Sequence, residues 1–223
     1  MSILWTIAAF TAANAAPDHA AALAESSTAV DDLTVSSNDA WIAWTTTGGE
    51  LQVLDTSTWT VINVTIDGGA SATGGVAIGG SEAAPMLFVG LSDNSVGQWA
   101  LNQGEGAISM GVHPIEATPL ALAADASSVY AILDTEDQGP IATAYDVDSF
   151  VAKYSEVADL ANDGYVDMDA RYGSGETEDG AAVVTYLYVA HGSAKLSRVD
   201  ATAGSSASSS ENEGNLTIED VWT

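Results

Sequence analysis

The sequence predicts an all-β fold: four repeats of four short strands, preceded by a short N-terminal arm. Three observations predict it. From residue 32 onward the same order of apolar runs and turns recurs four times. The marks Leu33, Val76, Leu120 and Val166 are separated by steps of 43, 44 and 46 residues. The second run of every copy is the most continuously apolar, as a strand covered on both faces must be.

The arm comes first. Residues 3–16, ILWTIAAFTAANAA, form an apolar run ending in Ala13-Asn14-Ala15, a small-x-small pattern like a signal cleavage site. Only Met1 and Ser2 precede it, so the positive region of a signal peptide is missing, and the run is too short for an ordinary membrane span. We expect it to stay in the mature protein, as a strand over residues 3–10 that could close a ring or as an arm contacting an oligomer; cleavage after Ala15 is the alternative. PDHAAALAES follows, with Pro17 at a helix start and Asp18 in the first turn, and reads as one short helix carrying a solvated His19.

The first copy runs DLTVSS, AWIAWTTT, ELQVLDT, WTVINVTI, and the second GGVAIGG, PMLFVGLSD, SVGQWAL, GAISMGV. The third runs PLALAAD, SVYAILDT, IATAYDV, FVAKYSEV, and the fourth YVDMDARYG, AVVTYLYVAHG, KLSRVDA, NLTIEDVWT. The domain boundaries are therefore 1–31 for the arm and 32–223 for the repeat domain, with repeats at about 32–69, 70–115, 116–160 and 161–223.

Within each copy the third run alternates, as in Leu51 and Val53 or Ala142 and Ala144, which predicts one wetter face. Gly48-Gly49, Asp93-Asn94, Gly139-Pro140 and Gly192-Ser193 fall between second and third runs, where hairpins turn. Asp55, Asp146 and Asp200 end third runs, where a carboxylate caps the backbone of an Asx-type turn. A period near 44 residues with four strands per unit is what a propeller blade requires.

Residues 32–223 thus resemble the β-propeller superfamily, with blades similar to divergent quinoprotein, YVTN and WD-like repeats. The strand ends Leu54-Asp55, Tyr145-Asp146 and Val199-Asp200 stand where a WD40 repeat has Trp-Asp, and the second copy has Trp99-Ala100 there. The resemblance implies a propeller of four four-stranded blades. A half ring completed by another subunit and a β-sandwich are the alternatives.

Charge sets the environment. The chain carries 31 Asp and Glu against 4 Lys and Arg, a net charge of −27. Such a surface repels phosphate backbones and anionic headgroups, so neither nucleic acid nor a membrane span is expected among its partners. The self-repulsion is relieved by salt, and the composition resembles that of proteins from salt-loving archaea; an acidic secreted bacterial protein is the alternative. With no cysteine, disulfides and thiolate chemistry are excluded, and packing, bound ions or assembly must hold the fold.

Candidate chemistry is sparse. Asp167, Asp169, Glu176, Glu178 and Asp179 crowd one Gly-rich stretch, read as a loop and as a weak calcium candidate, since calcium takes six to eight oxygen ligands. Their spacing departs from an EF-hand, so a solvated acidic loop is the competing reading, and calcium or other cations are the only cofactors this reading offers. No Gly-x-Ser-x-Gly motif presents a nucleophile, and His113 and His191 read as turn residues, His113 in a linker between blades. Arg171, Lys195 and Arg198 are scarce cations expected to pair with carboxylates, while Trp41, Trp44 and Trp59 fit strand packing. Asn63 and Asn215 begin N-x-Thr sequons, and residues 203–215 form a low-complexity loop.

These readings lead to a non-enzymatic structural or interaction propeller in an extracellular assembly of a high-salt system. The specific expectation is a virion subunit of tail, baseplate or capsid decoration, with protein subunits as partners and a homo-oligomer expected. The alternatives are a secreted or cell-surface propeller binding a ligand or glycan, and a calcium-dependent propeller enzyme.

Overall fold

The computed structural model describes residues 28–135, 139–156, 165–177, 180–191, 196–200 and 217–222. The first sheet holds β1 (Val30–Val35), β2 (Trp41–Thr46), β3 (Leu51–Asp55) and β4 (Thr60–Val64). The second holds β5 (Ala72–Ser81), β6 (Ala84–Leu91), β7 (Ser95–Asn102) and β8 (Gly106–Pro114). The third holds β9 (Thr118–Ala124), β10 (Ser128–Thr135), β11 (Gly139–Asp146) and β12 (Ala152–Glu156). The fourth holds β13 (Tyr165–Thr177), β14 (Gly180–His191), β15 (Leu196–Asp200) and β16 (Thr217–Trp222). Each sheet pairs its strands in chain order, and every neighbouring pair is antiparallel. The strands sit where the repeat placed them.

The sheets stack face to face in sequence. Trp41, Ala43, Leu51 and Val53 of the first pack on Val76, Leu87, Val89 and Leu91 of the second. The opposite face of the second sheet, with Ala77, Phe88 and Val96, meets Leu122, Val129, Ala131 and Leu133 of the third. Ala121, Ala123, Tyr130 and Ile132 then carry the third sheet onto Met168, Leu187 and Val189 of the fourth. Because side chains alternate between faces, neighbours such as Leu87 and Phe88, or Ala131 and Ile132, serve two different cores. This is why the second run of each copy is apolar without interruption. Sheets stacked in this way, with their first strands innermost, form a β-propeller arrangement. Among the described residues no apolar cluster spans the first and fourth sheets.

The glycines of GGVAIGG are there for closeness. A Cβ on Gly75, whose φ is +103°, would stand 2.7 Å from the backbone N of Leu122, and one on Gly79 would stand 2.7 Å from both Ala124 Cβ and Asp125 O. The innermost strands β5 and β9 therefore approach to backbone distance, and Gly80 N–H donates to Asp125 O at 2.8 Å across the gap.

Four local expectations are corrected. The third strands β3 and β7 have no wet face: Leu51, Val53, Leu54 and Asp55 of β3 and Val96, Gln98 and Trp99 of β7 are buried, and Gln52 is half-buried. The wetter strands are the outermost β4 and β8, which lie beyond the neighbouring blades, together with the innermost β1. Gly139-Pro140 belongs to β11, paired with Thr135 and Asp134, and not to a turn. The β11–β12 ladder begins at Ala142, so the missing Pro140 N–H leaves no gap on that side. His113 lies within β8 opposite Val96, not in a linker. Trp59 stands in the β3–β4 turn at φ +55° and is exposed. The strand at 3–10, the helix at 17–26, Gly192-Ser193, Lys195 and the 203–215 segment lie outside the described residues.

Candidate functional site

The four innermost strands enclose a central cavity of about 970 Å³. Leu33 and Val35 of β1, Val76 and Ile78 of β5, Leu122 of β9 and Met168 of β13 supply its apolar wall. Asn38, Asp39, Glu82, Asp125 and Asp169 add polar and acidic groups, and among the described residues no Lys or Arg lines it. The cavity is built to meet apolar and cationic groups.

Its rim is held by capped turns. In the β1–β2 turn, Asn38 Oδ1 accepts from Ala40 N at 3.1 Å and Ser36 Oγ at 2.9 Å, and Trp41 N donates to Ser36 Oγ at 3.0 Å. In the β9–β10 turn, the buried Asp125 accepts from Ser127 N and Ser128 N, both at 2.7 Å, and from Tyr130 OH at 2.8 Å. Asp55 and Asp146 cap the turns after the third strands as expected, Asp55 through Ser57 N at 2.9 Å and Asp146 through Ser149 N at 3.0 Å. Burial raises the Asp55 carboxyl, but the bonds from Ser57 and Thr58 together outweigh it and hold the group below the ordinary carboxylate value. The Ser149 bonds, helped by Lys153, do the same for Asp146. Lys153 Nζ reaches Asp146 Oδ2 at 3.5 Å and Ser127 O at 2.7 Å, so this scarce cation ties two turns together.

The side of β1 turned away from the second sheet differs from its counterparts. Asp32 Oδ2 accepts from Val76 N at 2.8 Å, so Asp32 faces the second sheet, and the alternating Leu33 and Val35 face away from it. In the other innermost strands that side holds Val76, Leu122 and Met168, only 3 %, 2 % and 5 % exposed against the preceding sheet. Leu33 and Val35 are 37 % and 46 % exposed. The first sheet thus carries the apolar residues of a blade-packing face, and their inner end is uncovered. A further exposed stripe, Ile108, Met110 and Val112, runs along the outermost strand β8.

On the outer side, the buried Gln98 joins the second and third sheets by donating from Nε2 to Val147 O at 3.0 Å. Its Oε1 lies 2.8 Å from His113 Nε2, which places the imidazole proton on Nε2, because the amide oxygen can only accept. The His113 ring stacks on Phe150 at 4.5 Å, and Tyr145 stacks on the same ring at 4.6 Å. Burial pushes His113 below its ordinary pKa. Burial, with Glu116 nearby, pushes Tyr145 up to about 12. Both groups are therefore neutral packing elements at pH 7.

The proposed calcium ligands are not placed as a loop would place them. Asp167, Asp169 and Glu176 all lie in β13, which runs straight through the Gly-rich stretch to Thr177 and pairs with β14. At ~3.3 Å per residue, Asp167 and Glu176 stand roughly 30 Å apart along the strand. Asp169 lines the cavity and is exposed, while Glu178 and Asp179 lie outside the described residues. Among the described residues no three His, Asp or Glu side chains come together as a metal site. Arg171 sits in β13, Arg198 in β15 and His191 at the end of β14. Sequence reading missed Asp125, although Asp125-Ala126-Ser127 has the same Asp-x-Ser spacing as Asp55-Thr56-Ser57.

No protein-family model matches the sequence, and no curated protein does. Solved structures do. One is BBS1N, determined in complex with ARL6DN, at TM-score 0.54 and 14 % identity over 85 % of this chain and 53 % of that one. Another is U3-55K, at TM-score 0.52 and 9 % identity over 80 % of this chain and 59 % of that one. Both are propellers, which agrees with the arrangement of the sheets. The chain spans between half and three-fifths of the length of these solved chains.

Proposed function

We propose that this chain is a non-enzymatic propeller that binds protein subunits, and that it works within an extracellular assembly of a high-salt system, specifically as a virion subunit of the tail, baseplate or capsid decoration. One observation carries the interaction reading: Leu33 and Val35 are open on a face whose equivalents in the next three sheets are covered. Apolar side chains left open beside a cavity give a partner both surface to bury and a recess to enter. The partners are protein subunits, further copies of this chain among them.

The charge supports the setting. At −27, docking onto another acidic subunit is opposed by long-range repulsion that molar salt removes, so the assembly forms where salt is high. The solved neighbour BBS1N was itself determined in a complex, which agrees with a binding role. The test is Val35→Asp in the native assembly reconstituted in molar potassium chloride. The variant is expected to fold with an unchanged unfolding midpoint and to be lost from the assembly. Incorporation at the wild-type ratio would refute the reading.

A further inference from the structure

Backbone strain singles out two exposed residues of the first sheet. A large side chain at positive φ is unfavourable, and the usual occupants of that region are Gly, Asn and Asp. Among the described residues four non-glycines adopt it: Asp39 at +57°, Trp59 at +55°, Asn94 at +59° and Phe150 at +52°. Two of them are explained within the fold. Asn94 Oδ1 accepts from Thr118 Oγ1 at 2.7 Å, and the Asn94 carbonyl accepts from Ile115 N at 3.0 Å. Phe150 is 8 % exposed, with its ring stacked on Tyr145 and His113.

Trp59 and Asp39 have no such internal use. Trp59 stands four residues after Asp55, as Phe150 stands four after Asp146, and Gly106, at φ +87°, four after Asn102. The turn thus asks only for positive φ, which glycine supplies freely. Phe150 offsets its strain by burial, whereas Trp59 is 44 % exposed and its indole N–H donates to nothing among the described residues. Asp39 is exposed as well, and its carboxylate has neither a hydrogen bond nor an ion pair among the described residues. Strained side chains that the fold does not use point to a use outside it.

The two residues are presented together. Thr56 Oγ1 donates to Asp39 O at 2.8 Å and Thr56 N to Ala40 O at 3.0 Å, so the β1–β2 and β3–β4 turns touch at one end of the first sheet. Trp59 follows Thr56 by three residues, at most ~11 Å of chain. Both turns are fixed by side-chain bonds, the first through Ser36 and Asn38 and the second through Asp55. Asp39 also lines the central cavity.

We propose that Asp39 and Trp59 form a docking corner for an arginine-bearing segment of a protein partner of different sequence, whose guanidinium meets the indole face and the carboxylate. An indole and an unpaired carboxylate both attract a cation. A second copy of this chain suits the corner poorly, because it carries only four cations and Lys153 is already tied to Asp146. Arginine is favoured over lysine because stacking and forked hydrogen bonds act at contact, where molar salt screens least. That choice rests on the high-salt reading above, while the corner itself does not depend on Leu33 and Val35.

The probe is N-acetylarginine amide, titrated into the free chain in molar potassium chloride and read by NMR at the Trp59 indole N–H. The resonance is assigned by its loss in Trp59→Gly, a variant expected to fold because glycine suits that φ. It should shift saturably, and the citrulline counterpart, which keeps the shape without the charge, should bind at least about threefold more weakly. Asp39→Asn should weaken the arginine probe by about two- to fivefold. No saturable shift, equal binding of citrulline, or no effect of Asp39→Asn overturns the proposal. In the native assembly, benzoylphenylalanine in place of Trp59 should crosslink to an arginine-containing peptide of another protein. A crosslink to a copy of this chain, to a glycan or to a peptide without arginine, or no crosslink, overturns it. Because the probe is read on the free chain, the result is independent of whether Val35→Asp is lost from the assembly.

Discussion

Replacing Gly75 by alanine tests the close approach of the innermost strands, and the structure supplies its own control. At Gly75 the added methyl costs twice: φ is +103°, and the Cβ would stand 2.7 Å from Leu122 N, a backbone atom that moves only if β9 moves. Backbone strain of this kind is worth about 1–3 kcal/mol. Overpacking adds about 1–3 kcal/mol. Gly68→Ala carries the backbone part alone, with φ +86° and nothing within 4 Å. Its expected cost is about 1–2 kcal/mol. Urea is the right denaturant, because guanidinium chloride is a salt and would screen the charge while it unfolds the chain. At fixed molar potassium chloride and a urea m-value of roughly 2 kcal/mol/M, Gly75→Ala should lower the midpoint by about 1–3 M and Gly68→Ala by about 0.5–1 M. Equal shifts for the two variants would refute backbone contact between the second and third sheets.

Three further outcomes follow from the same physics. Raising potassium chloride from 0.1 to 1 M shortens the Debye length from about 10 to about 3 Å, and the thermal midpoint should climb by about 10 °C in a scanning calorimeter; a flat response would remove the salt-adapted reading. Asp125→Ala strips the acceptor from Ser127 N, Ser128 N and Tyr130 OH, and should lower stability by on the order of 3 kcal/mol in urea titrations; a loss under about 1 kcal/mol would show the turn to be held otherwise. His113 has a folded pKa below its unfolded 6.5, so the unfolded chain binds the extra proton first. Its contribution is therefore present above pH 6.5 and fades as pH falls through the lowered folded value, and the stability gap between wild type and His113→Gln should narrow from pH 7.5 to 5. A gap that widens on acidification would contradict burial of the neutral ring.

Much of the architecture was legible because burial on two faces leaves a direct trace: PMLFVGL and SVYAIL have no polar interruption. Strands β3 and β7 misled because their polar residues are held against the sheet, half-buried at Gln52 and fully buried at Gln98, by particular partners that no periodicity records. Gln52 accepts from Trp44 Nε1 at 2.9 Å, and Gln98 is held by Val147 and His113. The acidic Gly-rich stretch looked like a loop, yet residues 167–177 continue a strand because Ala181 to Ala190 run opposite them as its partner. For the site, the polarity of each innermost run was readable, but the exposure of Leu33 against the burial of Met168 depends on which sheet stands next to which.

The central claim is that the chain is a propeller module working inside a larger protein assembly. Sedimentation equilibrium of native material, isolated from its source and kept in molar potassium chloride, tests it most directly. The account predicts that the 22.7 kDa chain sediments within a particle several times its own mass, at a fixed ratio to the other subunits. A free monomer at 22.7 kDa in the same salt would contradict it.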